Sequence, residues 1–364
     1  MKRSANQPIS SSRSSSKSIN IPQRKQQDSD FERIRVLGRG AFAKVVLVED
    51  RRTKLRYAMK ILQKSQIVER NHEGRAMSER QILTSSSHPF ICGLRCSFQT
   101  KTTLNLVLEY CPGGELFYLL TQRGRFDEPS VRFYAAEISS ALSHLHANSV
   151  VFRDLKPENL LIDAQGHMKL ADFGLSKQGI AMVHSGAFSM CGTPEYLAPE
   201  VILQKGHGTA IDWWALGALM YEMLVGQPPW YHENRTLLYQ GIVHHPLVFP
   251  PEPVLSSEAK HLIASLLEKD PVKRLGSLGV LAHPFFGSID FRKLEAKEIE
   301  VPWLPPQNDN ECFDPIFTTE NVVNSLPKSL AASFHQLGID TFSGFSWMDK
   351  KVDFAFDDDD DDDL

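Results

Sequence analysis

An α+β fold of two unequal lobes is what this 364-residue sequence predicts, and three observations carry it. Short segments with strand character crowd residues 31–109, helical patterns dominate beyond residue 115, and Cys111-Pro112-Gly113-Gly114 interrupts regular structure between them. A strand-rich stretch followed by a helix-rich one indicates two packed units joined by a short connection, here a hinge.

Phe31 to Leu37 reads as a strand, and so does Lys44 to Val48, with a glycine turn between them. Leu55 to Leu62 is a third strand, which sets Ala58, Lys60 and Leu62 on one face. A helix is expected over about 66–85, where Arg75, Glu79 and Leu83 lie four apart and share a face. Leu104 to Glu109 is a further strand, and helices are expected over 115–122, 129–148, about 210–225 and 257–268. The longest apolar run, Trp213 to Met220, is far shorter than the ~20 residues a membrane helix needs and reads as a helix buried within a lobe.

The chain therefore divides into a basic, Ser-rich, disordered segment (1–30), a two-lobed domain (31–286) and an irregular, Pro-rich segment wrapped on it (287–348). Within the domain, residues 31–109 form the small lobe and 112–286 the large one. An acidic disordered tail (349–364) follows, with seven consecutive aspartates from Asp357 to Asp363.

A net charge of −4 argues against a nucleic-acid partner, whose domain would be basic. Five cysteines without a Cys-x-x-Cys pair, and a polar N-terminus without the apolar core of a signal peptide, fit a reducing setting. The cytoplasm is the expected location, with the nucleus as a second compartment. No membrane insertion is expected, and a monomer is.

The residues that carry chemistry lie in three places. Gly38-Arg39-Gly40-Ala41-Phe42-Ala43 joins two strands, and its glycines let backbone N–H groups approach phosphates. A dinucleotide site would need a helix next, and a strand follows instead. Lys60 on the apolar-facing side of its strand costs desolvation unless an anion meets it, and Glu79 on the next helix offers one. Taken alone, Lys60 would read as a snorkelling edge lysine.

Phe152-Arg153-Asp154-Leu155-Lys156-Pro157-Glu158-Asn159 is the densest polar segment. In a loop, its Asp can accept a hydroxyl proton, its Asn can bind a metal and its Lys can steady a transferring phosphoryl group. Thirteen residues on, Asp172-Phe173-Gly174 adds an acid on a turn, suited to Mg²⁺.

Together with Ala198-Pro199-Glu200, these elements in this order resemble the protein-kinase motif set. Cys191-Gly192-Thr193-Pro194-Glu195-Tyr196-Leu197-Ala198-Pro199-Glu200 and the hinge Glu109-Tyr110-Cys111-Pro112-Gly113-Gly114-Glu115 resemble the AGC group of serine/threonine kinases. The resemblance covers about residues 31–348. Its tail spacing is most similar to the protein kinase B, serum- and glucocorticoid-induced and ribosomal-protein kinase subgroups.

The resemblance implies the two-lobed kinase fold, ATP and Mg²⁺ as cofactors, and a role for each matching residue. Asp154 would be the base, Lys156 would steady the γ-phosphate, and Lys60 paired with Glu79 would hold the α/β-phosphates. Asn159 and Asp172 would bind Mg²⁺. Leu37, Gly38, Gly40, Ala41, Phe42, Val45, Ala58, Leu108, Glu109, Cys111, Glu115 and Phe313 would enclose the nucleotide. Glu115, Glu158 and Glu222 would read arginines before the acceptor, so protein substrates with upstream basic residues are implied. Two departures remove no reacting group: Ala43 replaces the third loop glycine, and Phe152 replaces the usual His or Tyr.

Regulation is implied in the same way. Ser189, two residues before Cys191, would take an activating phosphate from an upstream kinase, paired by Arg153, Lys177 and Arg75. Phe342-Ser343-Gly344-Phe345-Ser346-Trp347 resembles the group's hydrophobic motif, with Ser346 as a second phosphorylation site and the aromatics docked beside the Glu79 helix. A turn-region phosphosite is expected at Ser325 or Ser329.

Overall fold

The structure, a computed structural model, describes residues 26–40, 43–180, 187, 191–320, 322 and 342–349. Ala41, Phe42, Ser189, Ser325 and Ser329 lie outside the described residues.

The small lobe is an antiparallel sheet of β1 (Phe31–Arg39), β2 (Ala43–Asp50), β3 (Arg56–Gln63), β4 (Leu94–Gln99) and β5 (Thr103–Glu109). Its order is β1-β2-β3-β5-β4, so β3 is central. Alternation along β3 sorts its side chains: Met59 and Ile61 join Phe31, Val46, Val48 and Phe98 on one face, while Ala58, Lys60 and Leu62 face the other way. Two helices follow β3, α1 (Lys64–Glu69) and α2 (Glu73–Ser85). The single helix expected over about 66–85 is thus broken, and Asn71 supplies the reason with φ of 54°, a left-handed turn that no α-helix contains.

Beyond the hinge come α3 (Leu116–Arg123) and α4 (Glu128–Ala147), the latter N-capped by Asp127, whose side chain accepts from Ser130 N–H. Four short strands carry the next loops: β6 (Val150–Val151), β7 (Leu160–Ile162), β8 (Met168–Leu170) and β9 (Lys177–Gln178). They pair as β6 with β9 and β7 with β8. The large lobe continues with α5 (Pro199–Ile202), α6 (Ala210–Val225), α7 (Arg235–His244), α8 (Ser257–Leu266) and α9 (Ser277–Leu281).

Every residue from Trp213 to Met220 on α6 is buried, as a helix at the centre of a lobe requires. Gly217 permits the closeness, because a Cβ there would come within 2.8 Å of Leu266 Cβ. Among the described residues, no helix is long and apolar enough to cross a membrane.

The C-terminal segment runs back over both lobes through α10 (Phe291–Glu295) and α11 (Pro315–Thr318), and ends in β10 (Trp347–Met348). β10 pairs antiparallel with β4, Trp347 opposite Ser97, and so becomes the sixth strand at the sheet edge.

Candidate active site

Lys60 reaches out of β3 between two carboxylates. Its Nζ is 2.6 Å from Glu79 Oε1 on α2 and 2.8 Å from Asp172 Oδ1 beyond β8. Asp172 adopts φ of 59°, and its Oδ1 also accepts from Gly174 N–H at 3.1 Å. Burial alone would push Lys60 down, but Asp172 and Glu79 outweigh it and hold the ammonium above its ordinary pKa. One cation cannot satisfy two anions equally. Lys60 draws Asp172 below the usual carboxylate range, while burial and the neighbouring Asp172 push Glu79 up. Glu73, the other acid on α2, sits in its first turn instead.

The loop from Phe152 to Asn159 is pinned from beneath by Asp212 of α6, which is 1 % exposed. Its Oδ2 accepts from Phe152 N–H at 2.9 Å and its Oδ1 from Arg153 N–H at 2.8 Å, with His146 Nε2 2.7 Å from Oδ2. Arg153 has φ of 71°, a turn these two bonds secure. Phe152 is fully buried with its ring edge-on to Phe173 at 5.2 Å, so an apolar ring fills the position where the family pattern has His or Tyr.

At the loop's outer end, Asn159 Nδ2 donates to Asp154 O at 2.7 Å and Asp154 Oδ2 at 2.8 Å. Lys156 Nζ lies 3.5 Å from Asp154 Oδ2 and donates to Thr193 Oγ1 at 3.0 Å. Thr193 in turn lies 3.5 Å from Asp154 Oδ1. Asp154, Lys156, Asp172, Lys60, Glu79 and Gly40 bound one cavity of about 340 Å³. The cation and the carboxylates needed for phosphoryl transfer thus meet in one cleft. The Asp172 side chain keeps 52 % of its surface open, and the Asn159 amide, having committed its NH₂ to Asp154, retains its carbonyl oxygen as acceptor. Hard oxygen donors of this kind, with one carboxylate, suit Mg²⁺.

Leu37, Leu47 and Ala58 of the sheet form an apolar cluster with Cys312 and Phe313 of the C-terminal segment, with Val45, Leu108 and Tyr110 against it. Gly38 ends this wall opposite Val45 in the β1–β2 ladder. In the hinge, Cys111 is buried, while the Glu109 carboxylate turns to Lys169, 2.8 Å away. The Glu109 backbone N–H donates to Gly93 O at 2.9 Å. Gly114, at φ of 70°, carries the crossing of the two segments: a Cβ there would lie 2.0 Å from Cys312 O.

Glu115 precedes α3, Glu158 lies in the loop and Glu222 is on α6, where its carboxylate accepts from the Tyr196 hydroxyl. Burial, then the charge of Glu158, pushes Glu115 up to about 7, with Lys156 opposing. Burial also pushes Glu222 up to about 7, with Tyr196 opposing and Glu158 and Glu195 adding to it.

Of the cations expected to meet a phosphate, Lys177 is exposed on β9 opposite Val151, and Arg153 Nε donates to Leu175 O at 2.6 Å. Arg75 is exposed on α2, which packs against β9. Phe342 and Phe345 are buried, and Ser346 between Phe345 and Trp347 is exposed. Phe345 O accepts from Ser97 Oγ at 2.7 Å and from Arg80 Nε of α2 at 3.2 Å. The aromatics are thus seated beside the helix that carries Glu79.

Sequence reasoning missed Asp212, Thr193 and Arg80. It also missed Arg274, which grips Glu200 with two bonds of 2.7 and 2.9 Å inside the large lobe. An acid opening an apolar helix was the available signal for Asp212.

Fold and cleft together define a phosphotransferase of two-lobed architecture. A family model described as the protein kinase domain matches residues 31–286. Protein kinase 2 of Dictyostelium discoideum is 47 % identical over 326 residues, covering 88 % of this chain and 67 % of that protein. Serine/threonine-protein kinase Sgk1 of Homo sapiens and that of Danio rerio are each 45 % identical over 331 residues, covering 88 % of this chain and 76 % of theirs. The chain belongs to the protein kinase family, which uses ATP and Mg²⁺, and is an enzyme of the serine/threonine class similar to Sgk1.

Proposed function

We propose that this kinase transfers the γ-phosphate of ATP to Ser or Thr in proteins carrying arginine two, three or five residues before the acceptor. The observation that carries this is the convergence of Asp154 and Lys156 with Lys60, Glu79 and Asp172 on one cavity, with Asn159 hydrogen-bonded to Asp154 behind it. Asp154 takes the acceptor hydroxyl's proton as its oxygen attacks phosphorus, and Asn159 fixes the carboxylate that does so. Lys60, aimed by Glu79, holds the α/β-phosphates, and Lys156 steadies the γ-phosphate. Asn159 and Asp172 would hold Mg²⁺, which supplies charge neutralisation between the phosphates. Glu115, Glu158 and Glu222 meet the substrate's arginines.

Activity is switched on in two places, by an upstream kinase at Ser189 and by phosphorylation of Ser346. A phosphate at Ser189 brings about two negative charges to Arg153, Lys177 and Arg75, and Arg153 adjoins the base. The seat of Phe345 against Arg80 on α2 supports the second input, because α2 positions Glu79. The enzyme acts as a cytoplasmic monomer that also enters the nucleus.

The test is labelled-phosphate transfer to an Arg-x-Arg-x-x-Ser peptide by protein phosphorylated at Ser189 and Ser346. Transfer is expected, and Asp154→Asn should lower it about 10²- to 10⁴-fold. No transfer by the wild-type protein would sink the proposal.

A further inference from the structure

Three aromatic and cationic side chains from distant parts of the chain meet at the outer rim of the nucleotide pocket. Phe313 of the C-terminal segment lies parallel to Tyr110 of the hinge, with ring centroids 6.2 Å apart and planes 13° apart. The Arg35 guanidinium carbon of β1 stands 5.3 Å from the Phe313 ring centroid, and Arg35 Nη2 donates to the Tyr110 hydroxyl at 3.1 Å. Phe313 is 9 % exposed and shares an apolar cluster with Leu37, Leu47 and Ala58, of which the family pattern sets Leu37 and Ala58 around the nucleotide.

The arrangement joins three elements that otherwise have no covalent reason to stay together. β1 leads into the glycine loop, the hinge links the lobes, and the C-terminal segment crosses them from outside. Phe313 has apolar surface enough to pack on the wall, but packing is non-directional and would let the ring slide. Arg35 adds direction, because a guanidinium is held over a ring face and its remaining N–H groups reach a hydroxyl in a fixed plane. Four residues further along β1, Arg39 Nη2 is paired with Glu320 Oε2 of the same segment at 3.0 Å, so the strand and the segment are tied twice. The second tie is exposed and weak. The first is the one set against the pocket.

We infer that Arg35 is a positioning residue that clasps Phe313 shut over the bound nucleotide, and that opening this Arg35–Phe313–Tyr110 clasp limits nucleotide release. The inference rests on the reading that Phe313 covers the nucleotide. A nucleotide can leave only once the ring lifts from Leu37 and Ala58, and lifting it separates the guanidinium from the ring. Arg35 then acts on residence time and touches no reacting atom.

The experiment uses the full chain, phosphorylated as for the transfer assay, and measures dissociation of a fluorescent N-methylanthraniloyl ADP by stopped flow beside the KM for ATP and kcat. Arg35→Ala should raise the ADP dissociation rate and the ATP KM together by about three- to tenfold, without lowering kcat at saturating ATP. Arg35→Lys keeps a cation over the ring and should return both values to within about twofold of wild type. Tyr110→Phe keeps the stack and loses only the hydroxyl, so its effect should be smaller than that of Arg35→Ala. Phe313→Ala should equal or exceed Arg35→Ala, and the double variant should show no further increase.

If Phe313→Ala speeds release while Arg35→Ala leaves it unchanged, the clasp is overturned and the pocket reading stands. If Phe313→Ala changes neither release nor the ATP KM, both fall. A fall in kcat that Arg35→Lys does not restore would reduce Arg35 to a structural role and overturn the clasp.

Discussion

The cleft holds two groups of charge that are balanced in opposite ways. Around Lys60, one buried ammonium stands between two carboxylates, and every member has a partner at 2.6 to 2.8 Å. Glu115 and Glu222 are instead buried acids near the carboxylate of Glu158, with Glu195 also near Glu222; Lys156 opposes at Glu115 and the Tyr196 hydroxyl at Glu222. The first group is settled within the protein. Among the described residues the second has no such cation, and burial, with the neighbouring carboxylates adding to it, raises its two acids to about 7. A site that holds what the enzyme always binds is preorganised, whereas a site that selects among partners leaves its charge for the partner to complete.

The contrast can be broken from either side. Lys60→Met removes the cation from the settled group and leaves two carboxylates facing each other, an unpaired buried charge worth about 3–5 kcal/mol. Phosphoryl transfer should fall by about a hundred- to a thousandfold, read as labelled phosphate on any acceptor peptide. Transfer within about threefold of wild type would show that the group is not the preorganised one.

Glu115→Gln or Glu222→Gln acts on the other group and should be selective. The KM for an arginine-bearing peptide should rise about ten- to a hundredfold, the worth of a hydrogen bond between charged groups, with kcat nearly unchanged. The same variants should leave the KM of an alanine-substituted peptide where it was. An equal change with both peptides would mean that these acids serve structure rather than selection.

The smallest effect is in pH. With the carboxyls of Glu115 and Glu222 raised to about 7, both are largely protonated below that value in the enzyme alone. Raising the pH ionises them and strengthens their hold on arginine. The KM for the arginine peptide should therefore fall by up to about tenfold between about pH 6 and about pH 8, and the Glu115→Gln/Glu222→Gln double variant should flatten the profile. Stability moves the other way. A carboxyl raised above its unfolded value of 4.5 weakens the fold as pH climbs from 4.5 toward 7, and no further loss follows above that.

Much of the fold could be read from local signals. Strand character marked β1, β2, β3 and β5, and of the Ala58, Lys60, Leu62 face Lys60 and Leu62 line the cavity while Ala58 packs with Phe313. β4 was not read although Leu-Arg-Cys-Ser-Phe-Gln alternates apolar with polar; its polar Arg95 and Ser97 are buried with their apolar neighbours, Ser97 beside β10, which pairs along this edge from about 250 residues away. The break between α1 and α2 depends on a single left-handed Asn71 that the surrounding helical residues disguise. At the site, residues with reacting groups stood out because their types are costly to place together. Supporting residues did not. Asp212 acts by accepting two backbone N–H bonds, and a backbone N–H has no letter in the sequence. Arg80 meets its partner 265 residues away, a separation that no periodicity can report.

That separation also sets a clock. A chain emerges from the ribosome N-terminus first at about 5–20 residues per second, and β4 must wait for Trp347 and Met348, roughly 250 residues later, before its outer edge is paired. For on the order of 10 to 50 seconds the nascent sheet carries an open edge, and the pocket wall lacks Cys312 and Phe313. The enzyme's C-terminal segment thus closes its first-made lobe, and a chaperone that shields strand edges has that window in which to act.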